Sequence, residues 1–240
     1  MGRSMARGNE VDYFRVLAGH NDTQITVGPN AAPGTFSLDA GEYGDFVVNG
    51  HVHVQSNQAI LVAQFLASRA EVEVQGPCSS ADQCGDAYVC EPFSSSSAVD
   101  VCILKSCITD ADCGDFYACN LDLWTPSNGQ RCKAVGDPAM MLGVPMEQWQ
   151  SNFVFLTPDS YLLDYINVVS APGTSISLDG AALPESEFEA IGATGYRVYR
   201  SAVSDGVHTL EASAPVSVLV YGYDASVSYG YPGGLGLKSL

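Results

Sequence analysis

The chain has 240 residues, 46% of them apolar and only 15% charged, and its formal net charge is −17. That length and apolar content exclude a disordered chain and suffice for one large β domain or two small ones. Ten basic against 27 acidic side chains exclude the cationic footprint that nucleic acid requires, and they disfavour an anionic membrane surface. The apolar stretches are strand-length, so no membrane insertion by this chain is expected.

Residues 1–9 open with MGRSMARG, which lacks the apolar stretch of a leader, and they read as a boundary or linker segment. Residues 10–75 read as a first β unit. Its signals are short β-branched or aromatic runs: Ile25-Thr26-Val27, Phe46-Val47-Val48, His51 to Val54, Ile60 to Phe65 and Val72-Glu73-Val74. Gly, Pro, Asn and Asp punctuate these runs, which suits a sandwich or barrel and not alternating βαβ units. His51 and His53 alternate on one strand and therefore share a face.

Residues 76–133 read as a Cys-rich insert. All eight cysteines lie here, and their spacing repeats: C-x5-C-x5-C-x11-C at 78–102 and C-x5-C-x5-C-x12-C at 107–132. Both copies carry C-G-D-x-Y-x-C, which places Tyr88 and Tyr117 at matching positions. Each copy is too small for a core, so covalent staples must replace one. Cys78, Cys84, Cys90, Cys102, Cys107, Cys113, Cys119 and Cys132 are expected to be bridged, which implies an oxidising compartment. Zinc is the competing use, but the gaps are mostly five or longer and no His lies inside the cluster. Three pairings are open within a copy; first-to-third with second-to-fourth interlocks the loops. Asp82, Asp86, Asp110, Asp112 and Asp115 could serve calcium, or cap turns through side-chain hydrogen bonds.

Residues 134–240 read as a connecting segment and a second β unit. Phe153-Val154-Phe155, Ile166 to Val169, Ile176-Ser177-Leu178, Tyr196 to Tyr199 and Val216 to Tyr221 are strand signals. Pro145–Gln150 and Pro184–Ala190 each suit about one helical turn. The two units are related: DYFRVLAGHNDTQITVG (12–28) matches DYINVVSAPGTSISLDG (164–180), and VQSNQAILVAQF (54–65) matches LEASAPVSVLVY (210–221). The expected fold is all-β, a sandwich or jelly-roll-like body of two related units carrying a small disulfide-rich insert.

Three stretches carry a family resemblance: HVHVQSNQAILVAQF (51–65), GDPAMMLGVPMEQWQSNFVFLTP (136–158) and the closing VSDGVHTLEASAPVSVLVYGYDASVSYGYPGGLGL (203–237). Together they resemble the IgGFc-binding protein N-terminal domain family over most of 12–75 and 134–240. The Cys-rich insert lies outside the animal members' pattern and looks EGF-like or Dickkopf-like, as in bacterial surface proteins. The resemblance implies a secreted or cell-surface module that recognises a protein or glycan without catalysis.

Catalytic signals are sparse. No Gly-x-Ser-x-Gly elbow, Walker motif or dinucleotide fingerprint is present. The best enzyme reading is a cupin-like metal site using His51, His53 and His208. However, Asn57-Gln58 occupy the place where a cupin would carry Glu, and His208 follows Asp205-Gly206, which reads as a hairpin turn. Tyr221, Tyr223, Tyr229 and Tyr231 crowd the end of the chain and are candidate ligand-binding residues, with core and edge packing as their other role. The function classes left standing are extracellular recognition or adhesion, a structural spacer in a large surface protein, and the cupin-like metalloenzyme. No cofactor is required beyond the calcium the insert could take.

Overall fold

The computed structural model describes residues 1–5, 11–29, 34–68, 77–79, 84, 88–92, 100–104, 107, 110–113, 117–121 and 130–236. The protein is all-β. The two expected helical turns are short 3-10 turns at Met146–Gln148 and Glu185–Glu187, each preceded by its proline. The expected strand at Val72–Val74 lies outside the described residues.

Unit one holds β1 (Asp12–Ala18), β2 (Thr23–Gly28), β3 (Thr35–Leu38), β4 (Tyr43–Val48), β5 (His53–Ser56) and β6 (Ile60–Phe65). The insert follows, with β7 (Pro77–Cys78), β8 (Tyr88–Pro92), β9 (Asp100–Leu104), β10 (Tyr117–Leu121) and β11 (Gln130–Ala134). Next come β12 (Met140–Leu142), β13 (Gln150–Thr157), β14 (Leu163–Ser170), β15 (Ile176–Leu178) and β16 (Ala181–Ala182). The last four are β17 (Glu189–Ala190), β18 (Arg197–Val203), β19 (Gly206–Asp224) and β20 (Val227–Pro232).

Unit one is a sandwich. A sheet of order β12-β6-β1-β4 faces a sheet of order β3-β2-β5, and every pairing is antiparallel. Strand periodicity sends Phe14, Val16, Phe46 and Val48 inward from the first sheet to meet Ile25 and Val27 from the second. Burying each such side chain contributes about 1.5–3 kcal/mol.

Unit two repeats this pairing with one strand doing two jobs. The first half of β19 pairs with β13 and β15, and its second half pairs with β14 and β20. Pro215, which has no N–H to give a ladder, sits where the strand passes from one sheet to the other. The sequence pattern around Asp205-Gly206 suggests a hairpin, but β18 and β19 do not pair. Both flank β14, so the turn is a corner between sheets. Phe153, Ile166, Val168, Leu210, Val218 and Val220 close the core.

The registers of the two units match residue by residue. Tyr13 faces Val47 and Phe65, as Tyr165 faces Ala202 and Tyr221. Arg15 faces Asp45 and Ala63, as Asn167 faces Arg200 and Leu219. Ile25 faces Ser56, as Ile176 faces Ala212.

The units meet across a seam. Leu66, Val135 and Met141 pack on Tyr165, Tyr221 and Tyr223, which stand on the outer face of the larger sheet of unit two. Gly230 permits this approach, because a Cβ there would collide with the Met141 side chain. Polar groups line the rest of the seam, and residues 1–5, read above as linker, run through it. Gly2 and Ser4 are buried there. The Met1 amine donates to Val52 O at 2.6 Å, and Val52 N–H donates to Met1 O at 3.0 Å. Asn167 Nδ2 donates to Arg3 O at 2.9 Å, and Gln64 Nε2 donates to Gly2 O at 3.2 Å. Ser4 gives both its N–H (2.7 Å) and its hydroxyl (2.5 Å) to the Asp12 carboxylate. Met5 N–H donates to the Tyr221 hydroxyl at 2.8 Å, which donates in turn to Asn167 Oδ1 at 3.0 Å.

Candidate binding face

Of the three cupin-like histidines, His51 and His53 share the seam and His208 sits at the β18–β19 corner. Both ring nitrogens of His51 are engaged: Nδ1 accepts from Arg3 N–H at 3.0 Å, and Nε2 lies 3.2 Å from Glu189 Oε2. The ring of His53 stacks on Tyr196. Burial lowers the pKa of both histidines, with a neighbouring Glu189 opposing it at His51. His208 places Nδ1 2.7 Å from Asp179 Oδ2 and Nε2 2.7 Å from Ser204 O. Two acceptors require two ring protons, so the imidazolium is the form this pocket holds. Burial opposes that charge, but the Asp179 and Ser204 bonds outweigh it and raise the pKa, while Asp179 is lowered in return. No nitrogen of His51 or His208 is left to ligate a metal, and the cupin-like reading is not supported. Among the described residues, the group of side chains close enough to hold an ion is Cys107, Cys113 and Cys119. Those sulfurs are already spent in bridges.

Bridges join Cys84 to Cys102, Cys107 to Cys119 and Cys113 to Cys132, and Cys90 is also disulfide-bonded. The second copy therefore links first to third and second to fourth. Of the five insert aspartates, Asp110 and Asp112 are described, in a single 3-10 turn, and Asp82, Asp86 and Asp115 lie outside the described residues.

The four C-terminal tyrosines face inward or along strand edges. Tyr221 and Tyr223 are fully buried in the seam. Tyr229 donates to Asp164 Oδ1, and Tyr231 caps the edge of β13 by donating to Leu156 O. Burial raises the pKa of Asp164 to about 6, and the neighbouring Asp205 adds to that shift.

The open surface lies elsewhere, on the outer face of β12-β6-β1-β4. Residues that alternate with the core project here, and the sequence makes them apolar. One row across the strands is Val47, Tyr13, Phe65 and Met140. The next is Asp45, Arg15, Ala63 and Leu142, and the third is Tyr43, Leu17 and Leu61. Tyr43 is 56% exposed, Met140 54%, Val47 49% and Leu61 47%. From strand spacing and rise, the outermost Cα atoms span about 14 Å each way. Its apolar side chains in water make this face the candidate interaction surface.

Among the described residues of these rows, the charges are Arg15 and Asp45, and they cancel. Arg15 Nε and Nη2 donate to the two Asp45 oxygens, both at 2.7 Å, and the guanidinium lies 4.1 Å from the Tyr43 ring centroid. The Arg15 hydrogen bonds hold the Asp45 carboxyl below its usual range. The result is a neutral patch on a chain of net charge −17. A cavity of about 770 Å³ opens at its end, between Tyr13, Val47, Phe65 and Ser68. Sequence reading missed this face, although the signal was present: outward positions of β1, β4 and β6 carry Tyr, Leu and Val where a solvated strand carries polar residues.

The family model described as "IgGFc binding protein" matches residues 1–100 and 123–222. The chain belongs to that family of non-enzymatic binding domains. The match enters the insert from both sides, skips 101–122, and ends before the closing Tyr-Gly-Tyr-Pro-Gly-Gly stretch does. Family and disulfides fit an extracellular location. Among the described residues no helix is long and apolar enough to cross a membrane. No curated protein matches. A solved chain described as an anti-sigma factor domain-containing protein is 10% identical, with a TM-score of 0.21 over 97% of this chain and 80% of that one. A TM-score that low carries no argument.

Proposed function

We propose that this chain is an extracellular recognition module, secreted or held at a cell surface, whose ligand is a protein that docks on the outer face of β12-β6-β1-β4. One observation carries the reading. The register-matched face of unit two is packed by other segments of the same chain, while that of unit one exposes Tyr43, Val47, Leu61 and Met140 to solvent. The Cys-rich segment serves as an EGF-like or Dickkopf-like insert on a loop, of the type carried by bacterial surface proteins. Glycan recognition and a pure spacer are the competing classes.

The test uses natively oxidised protein against immobilised immunoglobulin Fc and a glycan array, beside a Leu17→Asp, Val47→Asp double variant. The expected outcome is Fc binding that weakens on the order of a hundredfold or more in the variant, as loss of central apolar anchors does at other interfaces. Fc binding that survives the two aspartates removes this face from the function. A glycan hit unaffected by them favours the glycan class, and a blank on every surface favours the spacer.

A further inference from the structure

The far edge of β4 has a filled counterpart in unit two. Val198 of β18 matches Tyr43 of β4, since Val198 faces Val169 as Tyr43 faces Leu17. Along the far edge of β18 runs β17, where Glu189 faces Val198 and Ala190 faces Arg197. Ile191 N–H continues that ladder to Tyr196 O at 2.9 Å. Residues 183–196, between β16 and β18, deliver the strand. In unit one the matching connection, between β3 and β4, is the turn 39–42, closed by Glu42 N–H donating to Asp39 O at 2.9 Å. That turn is too short to carry a strand back along β4. Among the described residues, nothing pairs with the far edge of β4.

The ladder fixes which backbone groups line that edge. Ala18 N–H donates to Glu42 O at 3.0 Å, so the even-numbered residues of β1 bond to β4. Their partners Gly44, Phe46 and Val48 turn N–H and C=O toward β1, and Tyr43, Asp45 and Val47 turn theirs outward. The usual guards of an edge are missing. β4 holds no Pro and no Lys, its register against β1 runs unbroken, and its charge, Asp45, is neutralised by Arg15. The side chains of Tyr43, Asp45 and Val47 stand on the open apolar face, so a strand added here extends that face sideways.

Charge selects the occupant. Glu42 and Asp45 are acidic, residues 42–48 hold no basic side chain, and the chain carries −17. Two copies joined edge to edge would bring those acids and two such charges together, which opposes a second copy. A foreign segment with apolar residues opposite Tyr43 and Val47, and Lys or Arg opposite Asp45, meets no such repulsion.

We propose that β4 is a strand-addition edge, and that its occupant is an extended basic segment of the protein that docks on the adjoining apolar face. The segment pairs with Tyr43, Asp45 and Val47 as β17 pairs with β18. Which chain supplies the strand rests on the docking role read for that face; the pairing rests on the edge alone.

The full chain, natively oxidised and isotope-labelled, is titrated with end-blocked Thr-Val-Thr-Lys-Thr-Val-Thr, and amide hydrogen exchange is read residue by residue. The expected result is slowing of the Tyr43, Asp45 and Val47 amides by at least about tenfold at saturation, with Gly44, Phe46 and Val48 unchanged. A peptide with Glu in place of Lys should bind about threefold or more weakly, and Asp45→Asn should erase that preference. Val47→Pro removes an outward N–H at an edge position, where proline is tolerated, and should weaken the Lys peptide about tenfold. Failure of the peptide to slow these amides, or equal binding of the Lys and Glu peptides, overturns the proposal. Protection of the same amides before peptide is added also overturns it: a dependence on protein concentration assigns the edge to a second copy, and independence assigns it to this chain. Fc is titrated in parallel. Peptide pairing without Fc binding supports the edge and removes Fc as the docked protein, whereas Fc binding by the face with no slowing of these amides removes the edge and leaves the face standing.

Discussion

Tyr13 and Tyr165 occupy the same place in two sandwiches of the same pairing order, yet one is 38% exposed and the other 6%. The difference comes from what lies on top. Over Tyr165 pack Leu66, Met141 and the amino-terminal segment. Over Tyr13 none of these packs, and its ring keeps more than a third of its surface in solvent. Two matching sandwiches thus present one outer face to solvent and cover the other, and local sequence does not distinguish them: both strands carry Asp-Tyr at the matching place.

Truncation at the paired tyrosines should give the largest contrast. Tyr165→Ala empties a buried aromatic site and should cost about 3–5 kcal/mol, whereas Tyr13→Ala should cost well under half of that; urea unfolding measures both. If the two costs prove equal, the outer face of unit one is covered in solution. Next in size is the central pair. Asn167→Leu strips partners from Gly2 O, Arg3 O and the Tyr221 hydroxyl, all buried or partly so, and should cost about 1–3 kcal/mol. Arg15→Leu at the matching position should leave the urea midpoint where it is, because its ion pair with Asp45 is exposed.

The smallest effect is in pH. Asp12 and Asp164 both open the equivalent strand, and burial raises the pKa of each, Asp164 to about 6. A raised folded pKa means the native state holds its proton more tightly. The stabilising contribution is therefore complete below the ordinary carboxyl range and is lost as pH rises through about 6. Asp164→Asn should flatten the decline in melting temperature between pH 4 and 7, and an unchanged profile would assign that decline to other groups.

Much of the architecture was legible because strand chemistry is local. Ile25, Phe46, Ile166 and Val218 announce themselves as buried strand positions, and the two repeats align the units without reference to coordinates. The continuity of β19 was harder to read. Pro215 looks like a break, and only the sandwich shows that a strand changing sheets has a place for a residue without an N–H. β20 was hidden inside a tyrosine- and glycine-rich tail whose glycines serve close packing against Met141 and Tyr229. The apolar outward positions of the candidate face were in the pattern, but their exposure was not, since that depends on which of two similar sheets the rest of the chain covers. The same limit hid residues 1–5, whose bonds in the seam reach as far as residue 223.

The continuous β19 also constrains how unit two comes apart. Its sheets share 19 residues of one covalent strand. Neither can peel away while the other stays whole, because the strand that leaves one ladder is already the central rung of the next. Unit two should therefore melt as a single cooperative block, with β13 and β18 losing protection together although one pairs with β19 and the other with β14.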